Sequence, residues 1–231
     1  LSATPLLGLT ITLLAYQAAF ALYGRSGNNP LANPVLIAVF ILVLFLMLTA
    51  TSYETYFSGA QFVHFLLGPA TVALAIPLYT QFRRVRSMLL PVLAGLIAGS
   101  LTAIVSAVLV ARLLGASAST QFSLAPKSVT TPIAMGIAER IGGRPSRTAV
   151  LVIVTGILGA VGARFVFDAM KVRDPAIRGF AIGIASHGIG TARAFQVNEQ
   201  SGAFAALAMG MNGALTALLV PWIATYLINI G

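Results

Sequence analysis

A lysine stands between two prolines in the stretch SLAPKSVTTPIA, residues 123–134. Pro126 and Pro132 each remove a backbone hydrogen-bond donor, and Lys127 adds a charge to a chain that is otherwise strongly apolar. Irregular backbone at membrane depth is tolerated where it lines a cavity, so the stretch predicts an interrupted membrane helix at a polar cavity. The polar side chains that it would present there are those of Lys127, Ser128, Thr130 and Thr131.

A second polar stretch, IASHGIGTARAF, covers residues 184–195. Here glycine takes the place of proline, and we expect the helix to break at Gly188 and Gly190. Its polar side chains are those of Ser186, His187, Thr191 and Arg193. Two polar interruptions in one apolar chain are typical of a transporter whose site lies between half-helices.

The chemistry that these side chains favour is anion binding. They are cations and hydroxyl donors, and the N–H groups at half-helix N-termini add further donors, so a small carboxylate would suit the site. The acidic residues instead fall at predicted helix ends or loops, namely Glu54, Glu139, Asp168, Asp174 and Glu199. This placement argues against a cation exchanger with a buried carboxylate, although backbone carbonyls and hydroxyls at a break could still hold Na⁺.

Each candidate side chain has an alternative role. Lys127 either binds the anion or extends to the membrane interface, and Arg193 has the same two alternatives. His187 belongs either to the site or to a hydrogen bond between helices. Asn212, inside a later apolar run, either binds substrate or holds helices together.

Composition defines the class of protein. Of 231 residues, 58% are hydrophobic and 8% are charged, which predicts an all-α polytopic membrane protein. The net charge of +9 comes from cations at the ends of apolar runs, which is the pattern of membrane orientation and not of a nucleic-acid-binding face. The chain has no cysteine and no metal-ligand, nucleophile or phosphate-loop motif, so we expect neither an enzyme nor a metal site nor a bound cofactor.

About eight apolar segments have the length needed to cross a bilayer. They cover residues of about 5–23 (A), 35–51 (B), 59–82 (C), 88–114 (D), 120–141 (E), 148–170 (F), 177–197 (G) and 204–228 (H). Because no small-residue cleavage site follows segment A, we expect it to be retained as a membrane helix. No linker marks a second domain, so residues 1–231 are predicted to form one membrane transport unit.

An internal repeat divides these segments into two groups of four. LLGPAT in segment C matches SHGIGT in segment G, and GSLTAIV in D matches GALTALL in H. We therefore predict repeats of about 1–115 and 116–231, either parallel or inverted, with C and G as matched broken helices around a central polar site. The pairing adds Pro69 and Thr71 of segment C to the candidate substrate-binding residues.

Four motifs taken together, LLGPATVALAIPLY, LAPKSVTTPIA, GILGAVG and ASHGIGTARA, resemble the LrgB/CidB family of bacterial membrane proteins over nearly the whole chain. The resemblance implies one of two functions. One is a holin/antiholin-like control of murein hydrolase export and autolysis, together with a small LrgA/CidA-type membrane partner. The other is transport of glycolate, pyruvate, glycerate or lactate, as in the related plastid glycolate/glycerate translocator.

The residues favour the transporter, because a wide pore for folded enzymes has no need of paired helix breaks with anion donors. We therefore expect a secondary transporter of small monocarboxylates that works by alternating access in the bacterial cytoplasmic membrane, with H⁺ or Na⁺ as the coupling ion if there is one. The holin/antiholin-like role is the alternative. We also expect a homo-oligomer, at least a dimer, with segment B and the small-residue face of segment D as the candidate surfaces.

Overall fold

The structure, a computed structural model, describes residues 5–229, and this part of the chain is helical with no strand. The prediction of an all-α fold is confirmed. The helices are α1 (Pro5–Arg25), a 3-10 turn (Pro30–Ala32), α2 (Pro34–Leu48), α3 (Tyr53–Phe65), α4 (Leu67–Ala73), α5 (Ala75–Thr80), α6 (Phe82–Ser87), α7 (Leu89–Leu113), α8 (Ala118–Leu124), α9 (Thr131–Ile141), α10 (Pro145–Ala169), α11 (Pro175–Val197) and α12 (Glu199–Asn229).

Among the described residues, four helices are long and apolar enough to cross a membrane, namely α1, α7, α10 and α12. A bent pair, Tyr53–Val63 and Gly68–Thr80, would make a fifth crossing if it counts as one span. Four such helices fit a multi-pass membrane protein. Segment B corresponds to the 15-residue α2, which rises only about 22 Å against a hydrocarbon core of about 30 Å. The predicted total of about eight membrane elements therefore remains a prediction.

The chain forms two compact units that divide within α5, after Ala75. In the first unit α1 packs against α2 and α3. Gly8 permits this approach, because a Cβ there would stand 2.5 Å from the carbonyl oxygen of Tyr56. The Thr12 hydroxyl lies 2.7 Å from the Tyr56 hydroxyl and joins α1 to α3. The predicted repeats of about 1–115 and 116–231 follow a different boundary, and they remain a prediction.

The second unit is built around the contact between α11 and α12. Cβ atoms on Gly179 and Gly183 would stand 2.0 and 2.3 Å from the carbonyl oxygens of Ser201 and Ala205. The two glycines are four residues apart, as are the two residues that they meet, so the backbones approach along a small-xxx-small face. Larger apolar side chains fill the core among α7, α10 and α12, including Ile104, Val108, Val152 and Val220.

The start of α11 is fixed by Asp174. Its carboxylate caps the helix by accepting hydrogen bonds from the backbone N–H groups of Ala176 and Ile177. The same carboxylate accepts a hydrogen bond from Nη2 of Arg84 on α6 at 2.7 Å. Because both side chains are partly exposed, this pair sets the position of the helix end more than it adds to stability.

Candidate functional site

The first polar stretch lies between two short helices. α8 ends at Leu124 and α9 begins at Thr131, so residues 125–130 form a turn in place of a continuous helix. Pro132 falls within the first turn of α9, where a missing N–H costs no helical hydrogen bond. The side chain of Lys127 is half-buried in this turn, and its Nζ donates a hydrogen bond to Oγ of Ser128 at 3.2 Å.

The second polar stretch contains a kink at His187, whose φ of 41° and ψ of −133° are not helical. Among L-residues this backbone region belongs almost entirely to glycine, so the conformation is strained. The expected break at Gly188 and Gly190 thus lies one residue earlier, at a histidine. Gly190 instead permits a close approach to Ser186 and Ile182, because a Cβ there would stand 2.5 Å from Cβ of Ser186 and 2.9 Å from the carbonyl oxygen of Ile182.

The His187 ring is buried and holds the kink against α10. Nε2 lies 2.9 Å from the backbone carbonyl oxygen of Val152. A carbonyl oxygen only accepts, so Nε2 carries the proton. The ring fits because Gly156 has no side chain, and a Cβ there would stand 2.7 Å from Cε1 of His187.

Asn212 connects the two polar stretches. Its Nδ2 donates to the carbonyl oxygen of Ser128 at 3.2 Å and to that of Ile184, three residues before the kink, at 3.1 Å. Its Oδ1 accepts from the hydroxyls of Ser100 at 2.6 Å and Thr216 at 3.2 Å. Both donors and both acceptor positions of the amide are therefore occupied by protein groups. Asn212 thus joins three other segments to α12, and its part in substrate binding remains a prediction.

A cavity of about 1040 Å³ lies beside both interruptions within the second unit. Among the predicted residues that the structure describes, Lys127, Ser128 and Ser186 line it. The Ser186 side chain is buried, and its Oγ has no hydrogen-bond partner within residues 5–229. A buried hydroxyl without a partner costs free energy, and a bound polar ligand would supply that partner.

The remaining predicted residues occupy other positions. Thr130 and Thr131 lie half-buried at the start of α9, and the Thr130 side chain makes no capping hydrogen bond. The Thr191 hydroxyl donates to the carbonyl oxygen of His187 at 2.8 Å and so supports the kink. Arg193 is half-buried, and its Nη1 donates to the Gln196 side chain.

Pro69 and Thr71 lie on α4 in the first unit, whereas the cavity belongs to the second. Their part in the site therefore remains a prediction that rests on the repeat.

Two cavity-lining threonines, Thr102 on α7 and Thr155 on α10, are absent from the predicted site. The available signal was a hydroxyl among small residues, in SLTA and VTGILG. Gly159, in the same GILGAVG motif, also lines the cavity. A Cβ at Gly159 would stand only 1.7 Å from Oγ of Ser186, so this glycine makes room for the hydroxyl.

The site offers an ammonium group and hydroxyl donors, which is the chemistry of a small anion and not of a metal ion. Within the described residues, no three His, Asp or Glu side chains come together as metal ligands. Helical fold, apolar spans and a cavity beside interrupted helices together define a polytopic membrane protein.

The chain belongs to the LrgB-like family, whose model matches residues 12–226. This match confirms the resemblance inferred from the motifs. One similar protein is the uncharacterized protein YwbG of Bacillus subtilis, 35% identical over 222 residues, which cover 96% of this chain and 98% of the relative. Others are the antiholin-like proteins LrgB of Bacillus mycoides and Bacillus cereus, each 32% identical over 94% of this chain and 95% of the relative. No solved structure matches the chain.

Proposed function

We propose that the protein is a secondary transporter of small monocarboxylates, of the glycolate, pyruvate, lactate and glycerate class. The observation that supports this most directly is the cavity that joins a half-buried ammonium group, on Lys127, to an unpartnered buried hydroxyl, on Ser186. A carboxylate has two oxygens, and it could accept from both groups at once. Such charge-assisted hydrogen bonds are among the stronger ones in proteins.

Alternating access would open the cavity that holds this anion first to one side of the membrane and then to the other. The helix interruptions at 125–130 and at His187 lie beside the cavity, where irregular backbone can present its polar groups. We place the protein in the bacterial cytoplasmic membrane as a dimer. H⁺ or Na⁺ is the candidate coupling ion.

Proteoliposomes of purified protein test the proposal directly. Uptake of labelled glycolate, pyruvate and lactate would be followed with and without pH and Na⁺ gradients. We expect saturable uptake of at least one of them, and a gradient dependence that identifies the coupling ion. Folded protein that takes up none of these anions under any gradient would refute the proposal.

The names of the relatives favour a second candidate function. Two of them, which match this chain over nearly their full length, are called antiholin-like. Control of murein hydrolase export and autolysis, with a small LrgA/CidA-type partner, is therefore a specific alternative. A genetic experiment can distinguish the two functions. In a host that lacks its own copy and has an autolysis defect, the Lys127→Met variant should restore autolysis if that role is independent of transport, and should fail if autolysis depends on carboxylate flux.

A further inference from the structure

The cavity has an apolar end and a polar end. Along its walls α7 and α11 run side by side in the same direction, as shown by three successive contacts. Val92 packs with Ala176 in one buried cluster, Gly95 faces the ring of Phe180, and Gly99 faces Ile184. The cavity therefore follows these two helices from their first turns toward the kink.

The apolar end is formed by large hydrocarbon side chains near the start of both helices. Phe204 of α12 joins Val92 and Ala176 there, and Phe180 packs against the same cluster. Met88 and Ile177 also line the cavity at this end.

The polar end lies further along α11. Ser186 follows Ile177 by nine residues, which is about 14 Å of helix at 1.5 Å per residue. Lys127 and Ser128 line the cavity together with Ser186, and Asn212 bonds both Ser128 and Ile184, which places the two interruptions side by side at this end. Charge and free hydroxyl are thus separated from the aromatic rings by a stretch of small and aliphatic residues.

From this polarity we infer that the preferred ligand is a carboxylate with an apolar chain, held with its carboxylate at Lys127 and Ser186 and its chain directed toward Phe180 and Phe204. The inference deepens the proposed function and rests on it for the anion site. Glycolate and pyruvate would occupy only the polar end of a cavity of about 1040 Å³, which is the size of pockets that hold much larger ligands. Each methylene that enters the apolar end should strengthen binding about fourfold.

Binding to protein in lipid nanodiscs, measured by titration calorimetry with empty nanodiscs subtracted, tests this order. The probes are acetate, butanoate, hexanoate and dodecanoate, with hexan-1-ol as the uncharged control. We expect affinity to rise from acetate to hexanoate by more than tenfold, and hexan-1-ol to bind far more weakly than hexanoate. An affinity that levels off after hexanoate indicates a water-soluble ligand, whereas a further rise to dodecanoate indicates a fatty acid from the membrane.

Two alanines on α7 supply matched variants. Both are exposed, but Ala98 lines the cavity and Ala94, one turn earlier, lies outside the lining. Ala98→Leu should lower the affinity for hexanoate more than that for acetate, because the added side chain occupies the space of the ligand chain. Ala94→Leu should bind both as the unmodified protein does.

The inference and the proposed function fail in different ways. Binding that is independent of chain length, or equal binding of hexanoate and hexan-1-ol, would overturn the inference while uptake of pyruvate or lactate could still support the transporter. Chain-length-dependent binding without any uptake of carboxylates in proteoliposomes would support the inference for the site and refute transport. If no carboxylate binds, both are wrong.

Discussion

Oγ of Ser186 on α11 lies 1.7 Å from the point where a Cβ on Gly159 of α10 would stand. The glycine thus leaves space for this hydroxyl. Ser186 is 99% buried, and its hydroxyl has no hydrogen-bond partner in the part of the chain that the structure describes. This hydroxyl is the one that we propose donates to the bound carboxylate.

Ser186→Ala should accordingly separate stability from binding. Removing an unsatisfied buried hydroxyl should stabilise the ligand-free protein by about 1 kcal/mol, whereas the affinity for carboxylates should fall severalfold. Thermal unfolding in detergent and calorimetric titration in nanodiscs measure the two effects. A loss of stability with unchanged affinity would mean that the hydroxyl has only a structural role.

Lys127→Met should lower carboxylate uptake by well over tenfold while the protein still inserts and purifies, because a hydrogen bond to a charged group contributes about 1.5 to 3 kcal/mol. Lys127→Arg should retain part of the uptake, since the guanidinium keeps the charge but is larger and forked. Initial uptake rates in proteoliposomes measure both. Normal uptake and normal affinity in the Met variant would show that Lys127 does not bind the anion.

Replacing glycine by alanine should have different effects on stability at two positions of α10. Gly156→Ala should destabilise the protein by about 1 to 3 kcal/mol, because the new methyl group would stand 2.7 to 2.9 Å from the His187 ring and Ile189. Gly162→Ala should instead be neutral or stabilising by about 0.5 to 1 kcal/mol, since its Cβ position has no described atom within 4 Å apart from its chain neighbours and the backbone of its own helix. Equal unfolding temperatures for the two variants would contradict the packing of His187 against Gly156.

Asn212→Leu should destabilise the protein by about 2 kcal/mol, because it removes four hydrogen bonds that contribute on average about 0.6 kcal/mol each in a membrane protein. Thr216→Val removes one of the four and should have about a quarter of the effect. Denaturant titration in mixed micelles compares them. An Asn212→Leu variant as stable as the unmodified protein would show that these bonds contribute little.

Much of the helical fold could be predicted from the sequence, because apolar runs of about 20 residues have few alternatives to a membrane helix. Segments D and F correspond closely to α7 and α10. Segments whose helices are interrupted were harder. Segment E is two short helices and segment C is divided among α3, α4 and α5, and a window of mean hydropathy does not show where an interruption will lie.

The polar stretches could be identified from the sequence, but the direction of each side chain could not. Ser186 and His187 are neighbours, yet Ser186 lines the cavity while the His187 ring bonds Val152 of α10. That difference depends on the backbone at His187 and on the absence of side chains at Gly156 and Gly159, which lie about 30 residues earlier in the chain. Likewise, nothing in the sequence around Asn212 indicates that its partners come from three other segments.

The four hydrogen bonds of Asn212 also limit how the second unit can rearrange. One side-chain amide holds the carbonyls of Ser128 and Ile184, so moving the two carbonyls apart would break at least one of these buried hydrogen bonds. The turn at 125–130, the adjacent part of α11 and the middle of α12 should therefore travel as one rigid body. A hinge for the proposed transport cycle would then lie outside this body.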